Sequence, residues 1–202
     1  MCPSGPTGKD CGVGGETVKF AYADPPYIGQ AKRHYSHDPL CAEVDHAELI
    51  ARLCREFPDG WALSASAPSL AIIMPMLPAG VRIAVWCKSF CAFKKGVRPC
   101  YAWEPIIFCG GRNPSNGHKH APPEKNGKQT TPKDFIVEPI TLKKGLVGAK
   151  PEKVCRWILE LLNVQIGDEV VDLFPGTGAM GRAALSITEG AILNAQKPGS
   201  QP

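Results

Sequence analysis

The stretch "DEVVDLFPGTGAMG", residues 168 to 181, decides the fold of this 202-residue chain. A short apolar run ends at Asp172, and the three glycines that follow, from Gly176 to Gly181, have the spacing G-x-G-x-x-G. Glycine tolerates positive φ angles and lets the backbone approach a ligand closely, as a turn between a strand and a helix requires. The stretch therefore predicts a β-strand, a tight ligand-binding turn and a helix.

The rest of the chain repeats this alternation of strand and helix. Short apolar runs predict strands at residues 18–23, 61–66, 81–87, 104–110 and 168–174. Apolar residues at helical spacing predict helices at 43–57, 68–77 and 151–163, and Pro151 suits the first turn of the last. The alternation predicts an α/β fold with a mostly parallel open sheet and helices on both faces.

Length and composition indicate one folded domain. We expect a single domain at 17–190 between a flexible leader at 1–16 and a flexible tail at 191–202. The longest apolar run, residues 70–77, is much shorter than the roughly 20 residues that span a bilayer. The first residues lack the apolar core of a secretory signal, and an odd number of cysteines, nine, is typical of reduced thiols, so we expect a cytoplasmic protein.

The G-x-G-x-x-G spacing by itself is typical of dinucleotide-binding folds. Such a fold also needs an acidic residue about 20 positions further on, next to the ribose. The nearest acid, Glu189, comes too early and lies in no convincing strand. An NAD-linked oxidoreductase is therefore the third of three interpretations.

A second motif, "ADPPY" at residues 23–27, stands at the end of the first predicted strand. Together with "DLFPGTGAMG" it resembles the catalytic and cofactor motifs of the amino-group methyltransferases that act on N6 of adenine or N4 of cytosine. The order of the two motifs resembles the permuted β-type of that family. "GAKPEKVCRWILELL", residues 148–162, is similar to its Lys-Pro segment, and the middle of the chain resembles small phage and bacterial forms.

The resemblance implies a Rossmann-like methyltransferase fold and catalytic roles for Asp24, Pro25, Pro26 and Tyr27. The Asp24 carboxylate and the Pro25 carbonyl would orient the amine lone pair toward the methyl group. Tyr27 would stack on a base that has left the helix. A turn of aspartate and proline without catalytic function is the competing interpretation of these four residues.

The resemblance also implies S-adenosylmethionine as cofactor and no metal. Asp172, Phe174, Gly176, Thr177 and Gly178 would surround it, and Lys150 would lie near its methionine carboxylate, although an ordinary solvated lysine is equally compatible. In this family a strand after the glycine helix usually supplies an acid for the ribose hydroxyls. The sequence after residue 185 shows no clear equivalent.

Basic and aromatic residues interleave in two segments that we expect to contact nucleic acid: Lys94 and Arg98 in the first, Arg33 and Tyr35 in the second. A solvated loop over core aromatics explains the same pattern. The basic segment 111–133 is the other candidate for target recognition. The cysteines between 87 and 109 lack the paired short spacings of zinc sites, so we expect free thiols.

The sequence therefore favours methyl transfer to an exocyclic amine of a nucleic-acid base. The preferred target is N6 of adenine in DNA. Adenine is preferred because the related cytosine enzymes more often carry serine in place of Asp24. N4 of cytosine, RNA, and a nucleic-acid-binding module that has lost catalysis are the alternatives. No membrane partner is expected, and a homodimer is left open.

Overall fold

The computed structural model describes residues 18–29, 43–91, 95–112, 131–141 and 149–195, with side chains up to residue 187. Six strands are present: β1 Lys19–Ala23, β2 Gly60–Ser64, β3 Arg82–Cys87, β4 Trp103–Gly110, β5 Phe135–Val137 and β6 Glu169–Asp172. The helices are α1 His46–Glu56, α2 Leu70–Ile73, α3 Glu152–Leu161 and α4 Ala179–Ala195. Each element of the predicted alternation is present, and α4 continues past residue 190.

The strands form one sheet in the order β5-β3-β4-β2-β1-β6. Strands β1, β2, β3, β5 and β6 share one direction, and β4 is antiparallel to its neighbours β2 and β3. The predicted mostly parallel sheet is thus confirmed. The sequence predicts neither the antiparallel direction of β4 nor the existence of β5. A strand of three residues is too short to show an alternating apolar pattern. The direction in which β4 pairs cannot be seen in the residues of β4 itself.

Helices cover both faces of the sheet, as predicted. Phe20 and Tyr22 of β1 belong to an apolar cluster with α3 and α4, whereas Ala21 and Ala23 point to the opposite cluster with α1 and α2. Successive side chains of a strand face opposite sides, so a strand buried on both faces is apolar throughout. This explains why β1 and β2 read as continuous apolar runs.

Local chemistry sets the helix boundaries. Asp45 caps α1, and its Oδ1 accepts hydrogen bonds from the backbone N–H groups of Ala47 at 2.9 Å and Glu48 at 3.1 Å. The helix predicted at 68–77 is only one α-helical turn between two 3₁₀ turns, Ala67–Ser69 and Met74–Met76. Each of those turns contains a proline, which lacks the N–H group that a longer helix would need. No helix within the described ranges is long and apolar enough to cross a membrane.

Candidate active site

The two sequence motifs meet at one edge of the sheet. β1 and β6 are parallel neighbours, with Tyr22 in register with Asp172, and the Leu173 N–H donates to the Tyr22 carbonyl at 2.9 Å. Asp24 follows the carboxyl end of β1, and the glycine turn follows the carboxyl end of β6. Open α/β sheets bind their ligands at this edge. The sheet therefore brings the predicted catalytic and cofactor motifs side by side.

Lys150 forms an ion pair with Asp24. Its Nζ donates to both carboxylate oxygens at 2.8 Å, and its side chain is only 4% exposed, against 23% for Asp24. Burial raises the Asp24 pKa, and the charge and hydrogen bonds of Lys150 oppose that rise without cancelling it. Burial alone would lower the Lys150 pKa, but Asp24, Tyr22 and Glu104 outweigh it and hold that pKa well above its usual range. Lys150 is therefore a protonated counter-ion of Asp24.

Glu104 joins the cluster from the first residues of β4. Its Oε2 accepts a hydrogen bond from the Tyr27 hydroxyl at 2.7 Å and lies 3.5 Å from the Nζ of Lys150, while its Oε1 accepts from Lys88 at 2.5 Å. Burial would raise the Glu104 pKa, but Lys150 and Lys88 outweigh it and lower that pKa. Glu104 thus remains ionised between two lysines.

Glu104 was not among the residues predicted from the sequence. Its position at the start of a strand suggests an ordinary edge residue, and only the reversal of β4 brings it to the edge where β1 and β3 end. Lys88, the first residue after β3, comes to the same place. The charged cluster comprises two carboxylates and two ammonium groups, those of Asp24, Glu104, Lys88 and Lys150.

Two buried and uncharged side chains lie next to the charged cluster. Tyr22, in the strand below Asp24, shares a 2.8 Å hydrogen bond with the Ser64 hydroxyl, and burial raises its pKa well above the ordinary tyrosine value. Burial likewise raises the pKa of the Cys155 thiol to about 12. Both groups are therefore protonated and uncharged at neutral pH.

The turn after β6 is built by two glycines with positive φ, Gly176 at 45° and Gly178 at 71°. A side chain at Gly176 would meet only the Phe174 carbonyl, at 3.8 Å, so the space over the turn is open. The Phe174 N–H donates to Asp172 Oδ1 at 3.1 Å, and burial raises the Asp172 pKa. The Thr177 carbonyl accepts from Arg182 at 2.8 Å and anchors the turn to α4.

No protein-family model and no curated protein sequence matches this chain. Solved structures match it at low identity. The M1.HpyAVI–SAM complex is 17% identical with a TM-score of 0.53, over 85% of this chain and 79% of that chain. TTHA0409 of Thermus thermophilus, a candidate DNA modification methylase, is 16% identical with a TM-score of 0.50, over 85% and 78%. The chain has the Rossmann-like methyltransferase fold.

Within this methyltransferase fold, Arg98 is exposed in the loop that joins β3 to β4. It borders a cleft of about 450 Å³ whose lining includes two exposed aromatic side chains, Tyr101 and Trp103. Trp103 immediately precedes Glu104, so the cleft lies at the same edge of the sheet as the charged cluster. The other residues predicted to contact nucleic acid, Lys94, Arg33 and Tyr35, lie outside the described residues.

The basic segment 111–133 begins at the opposite edge of the sheet, because β4 runs antiparallel to β2. Arg112, the first cation of the segment, forms a buried ion pair with Asp168. Its side chain therefore lies in the protein interior. Residues 113–130 lie outside the described part of the chain. Arg112 itself is therefore not placed to contact a target beside Asp24.

Among the described cysteines, Cys91 and Cys100 lie close to each other. Cys91 and Cys100 lie with their sulfurs 3.6 Å apart as free thiols. In the described part of the methyltransferase fold, no group of three or more histidine, cysteine, aspartate or glutamate side chains is arranged to hold a metal ion.

Proposed function

We propose that this protein transfers a methyl group from S-adenosylmethionine to the exocyclic amino nitrogen of a base in nucleic acid, with N6 of adenine in DNA as the first candidate. One observation carries the proposal: the Asp-Pro-Pro-Tyr turn and the glycine turn leave adjacent parallel strands at the same edge, where Tyr22 pairs with Asp172. The similarity to the M1.HpyAVI–SAM complex in fold supports it.

The glycine turn fits the proposed cofactor, which when bound supplies an electrophilic methyl group on a sulfonium. Asp172 uses Oδ1 for the Phe174 N–H, and Oδ2 makes no hydrogen bond to any described residue. A half-buried carboxylate with a free oxygen suits an ammonium group, and the backbone amides at the start of α4 suit a carboxylate. Lys150 is engaged by Asp24, so the amides carry more of the carboxylate contact than the sequence predicted.

Asp24 and Pro25 would bind the substrate amine. The lone pair of an exocyclic amine is delocalised into the base, which makes it a poor nucleophile. Hydrogen bonds from its two N–H groups to the Asp24 carboxylate and the Pro25 carbonyl favour a tetrahedral nitrogen and direct the lone pair. Pro25 is buried and followed by Pro26, so this acceptor pair is held still. The Tyr27 ring would cover the base.

An aspartate at position 24 favours adenine over cytosine, and the fold is compatible with DNA or RNA. The cleft beside Arg98 would hold nucleotides next to the target, since aromatic faces stack on bases without sequence preference. We further propose a single domain at 17–190 that acts in the cytoplasm, as a monomer or a homodimer.

A nucleic-acid-binding module without catalysis is the second candidate. It is favoured by one observation: Glu189, the one acid among residues 186–202, lies within α4 and not on a strand after it, where the resembled family usually places the acid for the ribose hydroxyls. Equilibrium binding of S-adenosylmethionine separates the two candidates. Absence of binding at millimolar cofactor would favour the module.

The decisive experiment measures transfer of isotopically labelled methyl groups to unmethylated DNA and RNA, followed by nucleoside mass analysis. Asp24→Asn is the test variant, because the amide preserves the shape of the side chain beside Lys150. Glu138→Gln is the matched control, since Glu138 pairs with the surface residue Lys153 at 2.7 Å. We expect N6-methyladenine with the wild type and the control but not with Asp24→Asn. A folded wild-type protein that labels no nucleic acid would refute the proposal.

A further inference from the structure

One ammonium group lies between two carboxylates in the charged cluster. The Nζ of Lys150 is 2.8 Å from both oxygens of Asp24 and 3.5 Å from Oε2 of Glu104. The Tyr27 hydroxyl, 3.4 Å from the same Nζ, lies beside it and donates to Glu104. A small movement of the lysine side chain would therefore exchange one carboxylate partner for the other.

We propose that Lys150 is a shared counter-ion that moves from Asp24 to Glu104 when a substrate amine binds Asp24, which makes Glu104 a positioning residue for the reaction. This inference rests on the proposed methyl transfer for its chemical purpose. The sharing of Lys150 by two carboxylates stands on the distances alone and is tested separately.

Movement of Lys150 away from Asp24 would restore the negative charge of the Asp24 carboxylate. An amine nitrogen that accepted a methyl group from a sulfonium, with the sulfur–methyl bond broken and the sulfur leaving as a neutral thioether, would be positively charged until it released a proton to solvent. A nearby carboxylate stabilises that charge, and the stabilisation is large where water is excluded. An ammonium at 2.8 Å already neutralises Asp24 and repels a second cation. Asp24 therefore serves the amine better when Lys150 has moved away.

Glu104 is placed to pair with the Lys150 ammonium after the exchange. Lys88 holds its Oε1 at 2.5 Å, so the carboxylate does not follow Lys150 toward Asp24. Its Oε2 faces Lys150 and accepts only a neutral hydroxyl, that of Tyr27, at hydrogen-bond distance. A buried lysine requires a counter-ion throughout, and Glu104 supplies one at each stage of the exchange.

Thermal unfolding of single and double variants tests the sharing without any substrate. In Asp24→Asn the ammonium still has Glu104, and in Glu104→Gln it still has Asp24, so each melting temperature should fall moderately. In the double variant both carboxylates are lost, and we expect a fall greater than the sum of the two single effects. An additive or smaller fall would show that Lys150 does not use both carboxylates.

Two further variants keep this test decisive. If the double variant does not fold, adding Lys150→Met should restore a folded protein, because the stranded ammonium is then removed; a triple variant that stays unfolded overturns the proposal. Asp24→Asn combined with Glu138→Gln serves as the control pair. Glu138 pairs with Lys153 instead, so these two effects should add.

Kinetics test the role of the exchange in the reaction. Glu104→Gln preserves shape but removes the charge, and we expect kcat to fall about 100-fold with an unchanged dissociation constant for S-adenosylmethionine. Glu104→Asp preserves the charge and should retain more activity. Greater activity in Glu104→Gln than in Glu104→Asp would show that Glu104 only supports Tyr27. A wild-type protein without transferase activity refutes the proposed function, while the unfolding experiment still reports on the shared lysine.

Discussion

Lys150 neutralises Asp24 through two 2.8 Å hydrogen bonds, although the residues belong to motifs at opposite ends of the chain. The Lys-Pro segment thus contributes a buried cation to the Asp-Pro-Pro-Tyr turn. Because this ion pair is largely excluded from water, both the stability and the activity of the protein should depend on it.

Replacement of Lys150 by methionine should destabilise the fold strongly. The variant leaves Asp24 buried without its counter-ion, and breaking a buried ion pair from one side costs about 3–5 kcal/mol of unfolding free energy. Urea unfolding monitored by circular dichroism measures the effect. Lys153→Met is the matched control because its side chain is 68% exposed, and its effect should stay within about 0.5 kcal/mol. Equal effects of the two variants would contradict burial of the Lys150 charge.

Replacement of Gly178 by alanine should weaken the glycine turn. Gly178 has a φ of 71°, and a Cβ atom would lie 3.3 Å from Nη1 of Arg182. A left-handed conformation costs an alanine about 1–2 kcal/mol, which should appear as a lower unfolding free energy and weaker binding of S-adenosylmethionine by calorimetry. Gly181→Ala in α4 meets no neighbour within 4 Å and should stabilise the helix by up to about 1 kcal/mol. A Gly178→Ala protein as stable as Gly181→Ala would disprove the strained turn.

Replacement of Asp172 by asparagine should reduce affinity for S-adenosylmethionine. The amide oxygen can still accept from the Phe174 N–H, but the charge that would pair with the cofactor ammonium is lost. Hydrogen bonds to charged groups contribute about 1.5–3 kcal/mol, so the dissociation constant should rise about tenfold or more. Glu169→Gln, at the exposed start of the same strand, should bind the cofactor normally. Unchanged affinity in Asp172→Asn would exclude Asp172 from the cofactor site.

The pH dependence of kcat/KM should report the raised pKa of Asp24 in the substrate-free protein. Only the ionised carboxylate stabilises a positive amine, so activity is present above this pKa and is lost as the pH falls through it. Because burial raises the pKa, the acid limb should lie above the ordinary aspartate value of about 3.9. Burial would raise the Glu104 pKa, but Lys150 and Lys88 lower it, so Glu104 should add no acid limb above its own usual pKa. Steady-state kinetics between about pH 3 and pH 8 measure the profile, and an acid limb at the ordinary aspartate value would contradict the burial of Asp24.

The local elements followed from the sequence because their causes are local. Apolar runs predicted β1, β2, β3, β4 and β6, apolar residues at helical spacing predicted α1, and the glycines after Asp172 predicted the turn into α4. Gly176 was recognised from the spacing of the glycines, and Asp24 from the resemblance of its motif to the amino-group methyltransferases. Such signals lie within a few residues of one another, so a single sequence displays them.

The identity of the contacts was decided only by the tertiary structure. Lys150 was predicted beside the cofactor and lies on Asp24, and Glu104 was not predicted at all. Both placements depend on the pairing of β1 with β6 and on the reversal of β4, which bring distant segments to one edge. The sequence determined which residues form strands, turns and helices. The packing of the sheet determined which charges share a buried space, because only burial makes the choice of counter-ion important.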